Sequence, residues 1–373
     1  MNNQINIPFF NYSDIFKKDE EKFVEIFRTV SRKGGFILQS ELNEFEKNAA
    51  DFISAKHLIG VANGTDAIWL GLIAAGIEKN DEIIMPSHTY IASPAAVNFV
   101  GAKAILADCG QDNMLDPNDI ERHITDKTRA IMPVQINGRC CDMKKILEIA
   151  KRNNLLVIED AAQAFGAKYN DKYAGTFGLF GTISFYPAKL LGCFGDGGAL
   201  VTNDDDLAQK VRLLRDHGRN EYGEVVTWGF NSRLDNLQAA FLDEKLKTYP
   251  QDIHRRRKIA LIYNDGLKNN KSLKLPPPPD KDLSYFDVFQ NYEMQAEDRD
   301  LLKRYLDDNG IKTIVQWAGT PVHQFSKLGF NNTDLHKTDN FFKKCLMFPM
   351  NTSLTDNEVF YIIEKINEFY GNV

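Results

Sequence analysis

The stretch 183–204, ISFYPAKLLGCFGDGGALVTND, decides how the rest of the chain is read. A strand-like start at 183–186 runs into a bend at Pro187, then Lys189, then four glycines in the seven positions 192–198, then a second strand-like run at 199–202. A lysine taken alone is most often a solvated surface charge. The glycines change that reading, because backbone without side chains lets a ligand approach closely. A lysine on such a loop, at the mouth of a sheet, is placed to form a Schiff base with a carbonyl.

Around this centre, short apolar runs alternate with helical patterns. Strands are expected at 58–61, 82–85, 104–107, 130–134 and 155–158, and helices at 66–75, 91–99, 117–123 and 142–151. A repeat of roughly 20 to 27 residues suits parallel strands joined by crossover helices. The fold class is therefore α/β, a mostly parallel central sheet between helices, with further strands at 183–186 and 198–202 and a helix at 206–214. Upstream, residues 1–40 read as an approach segment with helix limited by Pro8 and a turn at Gly34-Gly35, before a helix at 41–53. The span 235–265 reads as helical, with Pro250 either interrupting it or opening a second helix. Past a stiff connector at 276–279, a strand at 289–294, a helix at 298–308, a strand at 311–316 and a helix at 357–370 describe a smaller C-terminal domain of βαβ-like order. The expected division is a large domain at 1–245 and a small one at 246–373.

Composition excludes several classes. The 373 residues are 43% hydrophobic and 26% charged, which suits a soluble globular protein with ample core. A net charge of -6 argues against nucleic acid as a partner, since phosphate recognition brings a basic excess. The one basic cluster, 255–258, reads as the wet face of a helix. No basic start followed by an apolar run opens the chain, and no window approaches the roughly 20 apolar residues of a membrane span, so no membrane insertion is expected. Cys109, Cys140, Cys141, Cys193 and Cys345 have neither disulfide nor redox nor metal spacing, and a cytoplasmic location is expected. Histidine- and cysteine-based metal motifs are absent, so no metal is expected.

Several residues lie where strands are expected to end. Asn63-Gly64-Thr65, between a strand and a helix, is either an ordinary cap or an anion site suited to a phosphate. Asp160, within EDAAQAFGA, stands at the carboxyl end of a strand, where open α/β sheets place ligands. It either keeps a ring nitrogen protonated or ligates a metal. His88 and Tyr90, in PSHTY, either stack on a planar cofactor or pack. Asn231-Ser232-Arg233 either caps the following helix or supplies anion contacts to a neighbouring subunit.

In order along the chain, NGTDA at 63–67, EDAAQAFGA at 159–167, SFYPAKLLGCFGDGGALVTND at 184–204 and GFNSRLDNLQAA at 229–240 resemble the DegT/DnrJ/EryC1/StrS family of pyridoxal-phosphate-dependent sugar aminotransferases, of the fold-type-I class. The resemblance spans essentially the whole chain, to CLMFPMNTSLTDNEV at 345–359. It makes pyridoxal 5'-phosphate the cofactor and Lys189 the Schiff-base lysine and later proton shuttle. Asp160 then pairs with the pyridine nitrogen, Gln163 lies near the ring and its phenolic oxygen, and Tyr90 takes the stacking position. Gly64, Thr65 and Ser184 match phosphate-binding positions. Asn231 matches a phosphate contact supplied across a homodimer with shared active sites.

The resemblance also implies a function, amino transfer from glutamate to a keto sugar. A nucleotide-linked 3- or 4-keto-deoxyhexose of cell-surface polysaccharide synthesis is the first expectation, and a non-nucleotide sugar such as an 8-oxo octulosonate of lipopolysaccharide the second. A catalytically silent regulatory or scaffold homologue is the alternative of another class. Sugar-dehydrating relatives carry histidine in place of the lysine, and Lys189 argues against that activity. Two segments depart from the family pattern: VQING at 134–138 stands for VHLYG, and VQWAGTPVHQF at 315–325 replaces a segment richer in proline and tyrosine. Trp317, His323 and Arg233 are the expected substrate contacts, with core packing the other reading of Trp317.

Overall fold

The computed structural model describes residues 5–330 and 334–371. In chain order, β1 (His57–Val61), β2 (Glu82–Pro86), β3 (Lys103–Ala107), β4 (Thr128–Ile131) and β5 (Leu156–Asp160) alternate with helices that include Gly64–Ala74, Ala92–Phe99 and Met143–Arg152. A short hairpin, β6 (Lys168–Tyr169) and β7 (Lys172–Tyr173), precedes β8 (Phe180–Ser184) and β9 (Gly198–Thr202). The central sheet has the order β1-β9-β8-β5-β4-β2-β3. β9 runs antiparallel to both neighbours, and the other paired strands are parallel.

Its strands read as unbroken apolar runs because both faces are covered. Leu58, Ile84, Ile131, Val157, Ile183 and Val201 enter one apolar cluster. Ile59, Val61, Ile83, Met85, Ile158 and Leu200, from the alternate positions, enter the other.

Register places the site. Ser184 pairs with Gly198 on β9, and Gly198 pairs on its other side with Val61 of β1. The turn Asn63-Gly64 leaving β1 therefore lies beside Ser184. A Cβ at Gly198 would overlap the Asn63 carbonyl carbon, so only glycine fits there.

Four expectations need correction. Residues 1–40 are not a bare approach segment: Tyr12–Lys18 and Glu20–Lys33 are helices, and the second buries Phe23 and Val30, seven positions apart on one face. Gly34, at φ 72°, ends that helix. The smaller C-terminal α/β subdomain is not βαβ-like. Its sheet, β10 (Leu273–Lys274), β12 (Tyr292–Ala296) and β13 (Cys345–Phe348), is antiparallel throughout, while β11 (Tyr285–Phe286) pairs with β6 instead. Residues 311–316 form no strand, only the single bridges Ile7 to Ile311 and Ile314 to Met347. Trp317 and Ala318, at φ 47° and 56°, turn the chain out of any ladder. The cluster 255–258 is no wet face. Arg256 is buried against the Phe289 and Gln290 carbonyls, Arg257 lies over the Phe286 ring, and Arg255 and Lys258 pair with Asp356. Pro250 opens the helix Tyr249–Leu267 in its first turn, as the second of the two readings has it.

β1 is fixed by a buried ion pair. Glu46 accepts from the Gly60 N–H at 2.8 Å, Arg215 donates to the Gly60 carbonyl at 2.9 Å, and the two side chains meet. Removing the cation strands a buried carboxylate. Arg215→Ala is expected to lower the unfolding free energy by about 3–5 kcal/mol in urea titration, and Arg215→Ala with Glu46→Gln by less.

Candidate active site

A cavity of ≈ 670 Å³ opens at the carboxyl ends of β1, β5 and β8. Of the residues singled out in the sequence, Gly64, Thr65, Tyr90, Asp160, Gln163, Ser184, Lys189 and Trp317 all line it.

Its floor is the start of the helix Gly64–Ala74. The Asn63 side chain caps that helix by accepting from the Asp66 N–H at 2.8 Å, so Asn63 is the cap and Gly64 and Thr65 follow it. N–H groups in a first helical turn have no intrahelical acceptor, and they point out of the helix. A Cβ on Gly64 would sit 3.1 Å from the Ser184 Cβ, which closes the other side of the same recess.

Asp160 ends β5 and is 6% exposed. Its Oδ2 accepts from the Ser93 hydroxyl at 2.6 Å and its Oδ1 from the Ala162 N–H at 3.1 Å, which fix the plane of the carboxyl. Gln163 is held through its Oε1, which accepts from the Asn137 N–H at 2.7 Å and leaves the NH2 group to donate.

Lys189 sits on the loop joining β8 to β9, with its N–H donating to the Tyr186 carbonyl at 2.8 Å. The surrounding protein pushes its amine down to about 8, partly offset by the Asp160 carboxyl. From an ordinary 10.5, this raises the neutral, nucleophilic fraction at pH 7 roughly three-hundredfold. Tyr90 is 56% exposed at the cavity mouth, its ring 6.2 Å from that of Trp317.

Other expected residues lie elsewhere. His88 does not reach the cavity; it is buried behind Trp317, Phe341 and Phe342, so of the PSHTY rings only Tyr90 is on the wall. His323 is also off the wall: its Nδ1 meets the Ser87 hydroxyl at 2.7 Å and its Nε2 meets Asp339 at 3.0 Å. Arg233 is turned away onto Asp216 at 2.7 Å. Within its own chain, therefore, neither His323 nor Arg233 is presented as a substrate contact. Asn231 is exposed, on a segment bridged to Asp216, and does not line its own chain's cavity.

Sequence reading missed the layer behind the wall. Glu159 is fully buried and accepts from the Gly175, Phe177 and Gly178 N–H groups and from Gln135 at 2.8 Å. Burial still raises its carboxyl. Glu293 accepts from Asn137 Nδ2 at 2.6 Å and, with the Gln316 amide oriented by its partners, from Gln316 Nε2 at 2.7 Å. Glu293 thus ties the segment that holds Gln163 through the Asn137 N–H to the segment that carries Trp317. Ser93 and Glu293 are far apart in sequence from what they hold and no local pattern marks them, while Gln135 and Gln316 fall in the two segments that depart from the family pattern, which do not show what they hold.

The donor set fits pyridoxal phosphate. Helix N–H groups and two hydroxyls line an anion recess, a fixed carboxyl stands across from it, and a weakly basic amine shares the cavity. Among the described residues no cluster of histidine, cysteine, aspartate and glutamate suits a metal, and no helix is long and apolar enough to cross a membrane.

The fold is that of the fold-type-I pyridoxal-phosphate enzymes. The family model for the DegT/DnrJ/EryC1/StrS aminotransferase family matches residues 17–367, and the chain belongs to that family. It is 38% identical over 370 residues to a pleiotropic regulatory protein of Geobacillus stearothermophilus, covering 98% of this chain and 99% of that one. It is 36% identical to the dTDP-3-amino-3,4,6-trideoxy-alpha-D-glucose transaminase of Streptomyces venezuelae, over 100% and 99% of the two chains. The crystal structure of S. venezuelae DesV in complex with a ketimine intermediate superposes with a TM-score of 0.94 at 34% identity, covering 99% of each chain.

Glu293 gives the site a pH signature. Burial pushes its carboxyl up to about 8 and pushes the His88 imidazole, 3.6 Å away, down to about 4. His88 Nδ1 meets the Asn113 carbonyl at 2.8 Å, so Nδ1 carries the hydrogen and Nε2 is bare toward Glu293. The folded Glu293 keeps its proton above the ordinary 4.5, so its contribution to stability falls as pH rises from 4.5 to about 8. The folded His88 resists its proton, so its contribution rises between about 4 and 6.5. Above 6.5 only the Glu293 slope remains of the two. Glu293→Gln is expected to flatten a decline of up to about 2 kcal/mol between pH 6.5 and 8, read as urea midpoints across that range.

Proposed function

We propose that the chain is an aminotransferase that moves an amino group from glutamate to a keto sugar carried on a nucleoside diphosphate. The observation that carries this reading is the weakly basic Lys189 amine in one cavity with Asp160 and the start of the helix Gly64–Ala74.

Bound pyridoxal phosphate would supply an aldehyde to capture amines and a pyridinium ring to draw electrons from the substrate carbon. The N–H groups of Gly64 and Thr65 and the hydroxyls of Thr65 and Ser184 would hold its phosphate. Asp160, fixed by Ser93 and Ala162, would keep the ring nitrogen protonated. Gln163 would donate to the phenolic oxygen, and Tyr90 would stack on the ring. Lys189 Nζ would be the base that takes the proton from the donor's α-carbon and the acid that returns it. The same two roles would serve the acceptor half in reverse. Trp317, which lines the cavity, would face the acceptor.

The Streptomyces relative's activity on a dTDP-linked deoxysugar supports the choice of acceptor class. The regulatory relative favours a second reading, a homologue that binds cofactor without turnover. The retained lysine and its weakened basicity weigh against that. Incubation with glutamate is expected to turn bound pyridoxal phosphate into pyridoxamine phosphate, identified by mass spectrometry of the released cofactor. Lys189→Ala is expected to abolish both this conversion and the borohydride-fixed adduct on the wild-type lysine peptide. Wild-type protein that holds the cofactor and converts none of it with any amino donor would favour the regulatory reading.

A second copy completes the site in this reading. Asn231 adjoins an exposed segment carrying Tyr222, Val225 and Trp228, the last 93% exposed, an apolar surface suited to a protein partner. Mixing Lys189→Ala chains with Asn231→Asp chains, each weak alone, is expected to restore about a quarter of wild-type turnover, because half of the mixed dimers' sites are intact.

A further inference from the structure

The loop that carries Lys189 is held by a side chain from the far end of the chain. Gln290 is 6% exposed and comes from the segment leading into β12. Its Oε1 accepts from the Leu190 N–H at 2.7 Å, and its Nε2 donates to the Ala188 carbonyl at 2.8 Å. One amide thus binds the backbone on both sides of Lys189. Its orientation is unambiguous, since the oxygen faces a donor and the nitrogen an acceptor.

We propose that Gln290 is the positioning residue for Lys189. It fixes the direction in which the amine leaves the loop, and with it the amine's charge interaction with Asp160 and its shielding from water. The inference rests on Lys189 being the reacting amine.

The support behind Gln290 is as closely built. Buried Arg256 donates to the Phe289 carbonyl at 3.0 Å and to the Gln290 carbonyl at 2.6 Å. Phe289 takes the left-handed φ of 51°, a conformation that persists only where its surroundings enforce it. Gly138 packs so closely on this turn that a Cβ there would come within 2.7 Å of the Gln290 N–H nitrogen. Lys245 and Gln238 hold the loop farther on, at the Gly192 carbonyl (2.6 Å) and the Phe194 N–H (2.9 Å), but neither touches the residues flanking Lys189. An amide at 290 is the group that meets both needs at once. Methionine offers similar length without the hydrogen bonds. A carboxyl offers both bonds only while protonated, because ionised it keeps the acceptor and loses the donor.

The test compares full-length wild type, Gln290→Met and Gln290→Glu by two readouts. The first is competitive acetylation of Lys189 in cofactor-free protein across pH, quantified by mass spectrometry. The second is the fraction of borohydride-fixed pyridoxal phosphate on the Lys189 peptide. Gln290→Met is expected to raise the acetylation midpoint toward that of an ordinary lysine and to lower the fixed fraction about tenfold at limiting cofactor, the effect of two neutral hydrogen bonds. Gln290→Glu is expected to regain the wild-type fixed fraction, relative to wild type at the same pH, as pH falls and the carboxyl protonates. If Gln290→Met does not fold, that pH-dependent recovery alone decides. Acetylation and fixation unchanged in Gln290→Met, or a Gln290→Glu profile parallel to wild type, overturns the proposal. A wild-type protein that fixes cofactor elsewhere would instead overturn the assignment of Lys189.

Discussion

Everything at the cavity depends on the absence of a side chain at position 198. β9 is antiparallel between two strands that are parallel to each other, and its first residue lies level with Ser184 on one side and Val61 on the other. At that level the chain leaving β1 turns into a helix, and the turn has room only because Gly198 presents backbone. The helix start, the Ser184 hydroxyl and the end of β5 are thereby brought to one rim. The antiparallel return from β8 to β9 has a second effect. It sends the intervening loop out over that rim and back, which places Lys189 above the recess rather than on the flank of the sheet.

An amine there stays reactive only if it is kept from water without being buried as an unpaired ion. Crowding lowers its basicity, and Asp160 limits the fall. The balance leaves Lys189 near neutral pH with a usable fraction of free amine, whereas full desolvation without a carboxyl would displace it further. The carboxyl can play that part because Ser93 and Ala162 hold it in place. Polar groups behind the wall are matched in the same way: Glu159 takes up three loop N–H groups that would otherwise be unpaired in the interior.

The parts of this arrangement written in local sequence were legible. Strands covered on both faces give continuous apolar runs, so β1, β2, β3, β5 and β9 fell where the runs do. The lysine, the glycines and EDAAQAFGA were legible because close backbone approach and strand-end carboxylates restrict residue type at fixed offsets. β8 was placed late, since Phe185 and Tyr186 extend its apolar pattern beyond the last ladder bond at Ser184. The C-terminal sheet was misjudged because Ile311, Ile314 and Val315 look like a strand, while the φ signs of Trp317 and Ala318 that end it leave no mark in composition. His323 and Arg233 are polar residues near motifs, and only geometry shows that Ser87, Asp339 and Asp216 already occupy them.

The same limit bears on substrate choice. The two segments that depart from the family pattern, 134–138 and 315–325, are distant in sequence and meet at one carboxyl. Asn137 and Gln316 both donate to Glu293, and each lies in or beside left-handed backbone, Asn137 itself at φ 56° and Trp317 at φ 47°. Backbone held in that region costs of order 1–3 kcal/mol per residue and persists where surrounding bonds enforce it. Glu293 bonds both sides, and Asn291 Nδ2 adds a bond to the Asn137 side-chain oxygen at 2.9 Å. An aromatic at 137 would take the Asn137 amide away from Glu293, and a histidine at 135 would change the partner of a different buried acid, since Gln135 donates to Glu159. The two departures are therefore coupled at 137 and 316, where both segments donate to one carboxyl. They share the buried acid, and each adjoins a residue of the cavity lining, Gln163 through the Asn137 N–H and Trp317 as the chain neighbour of Gln316.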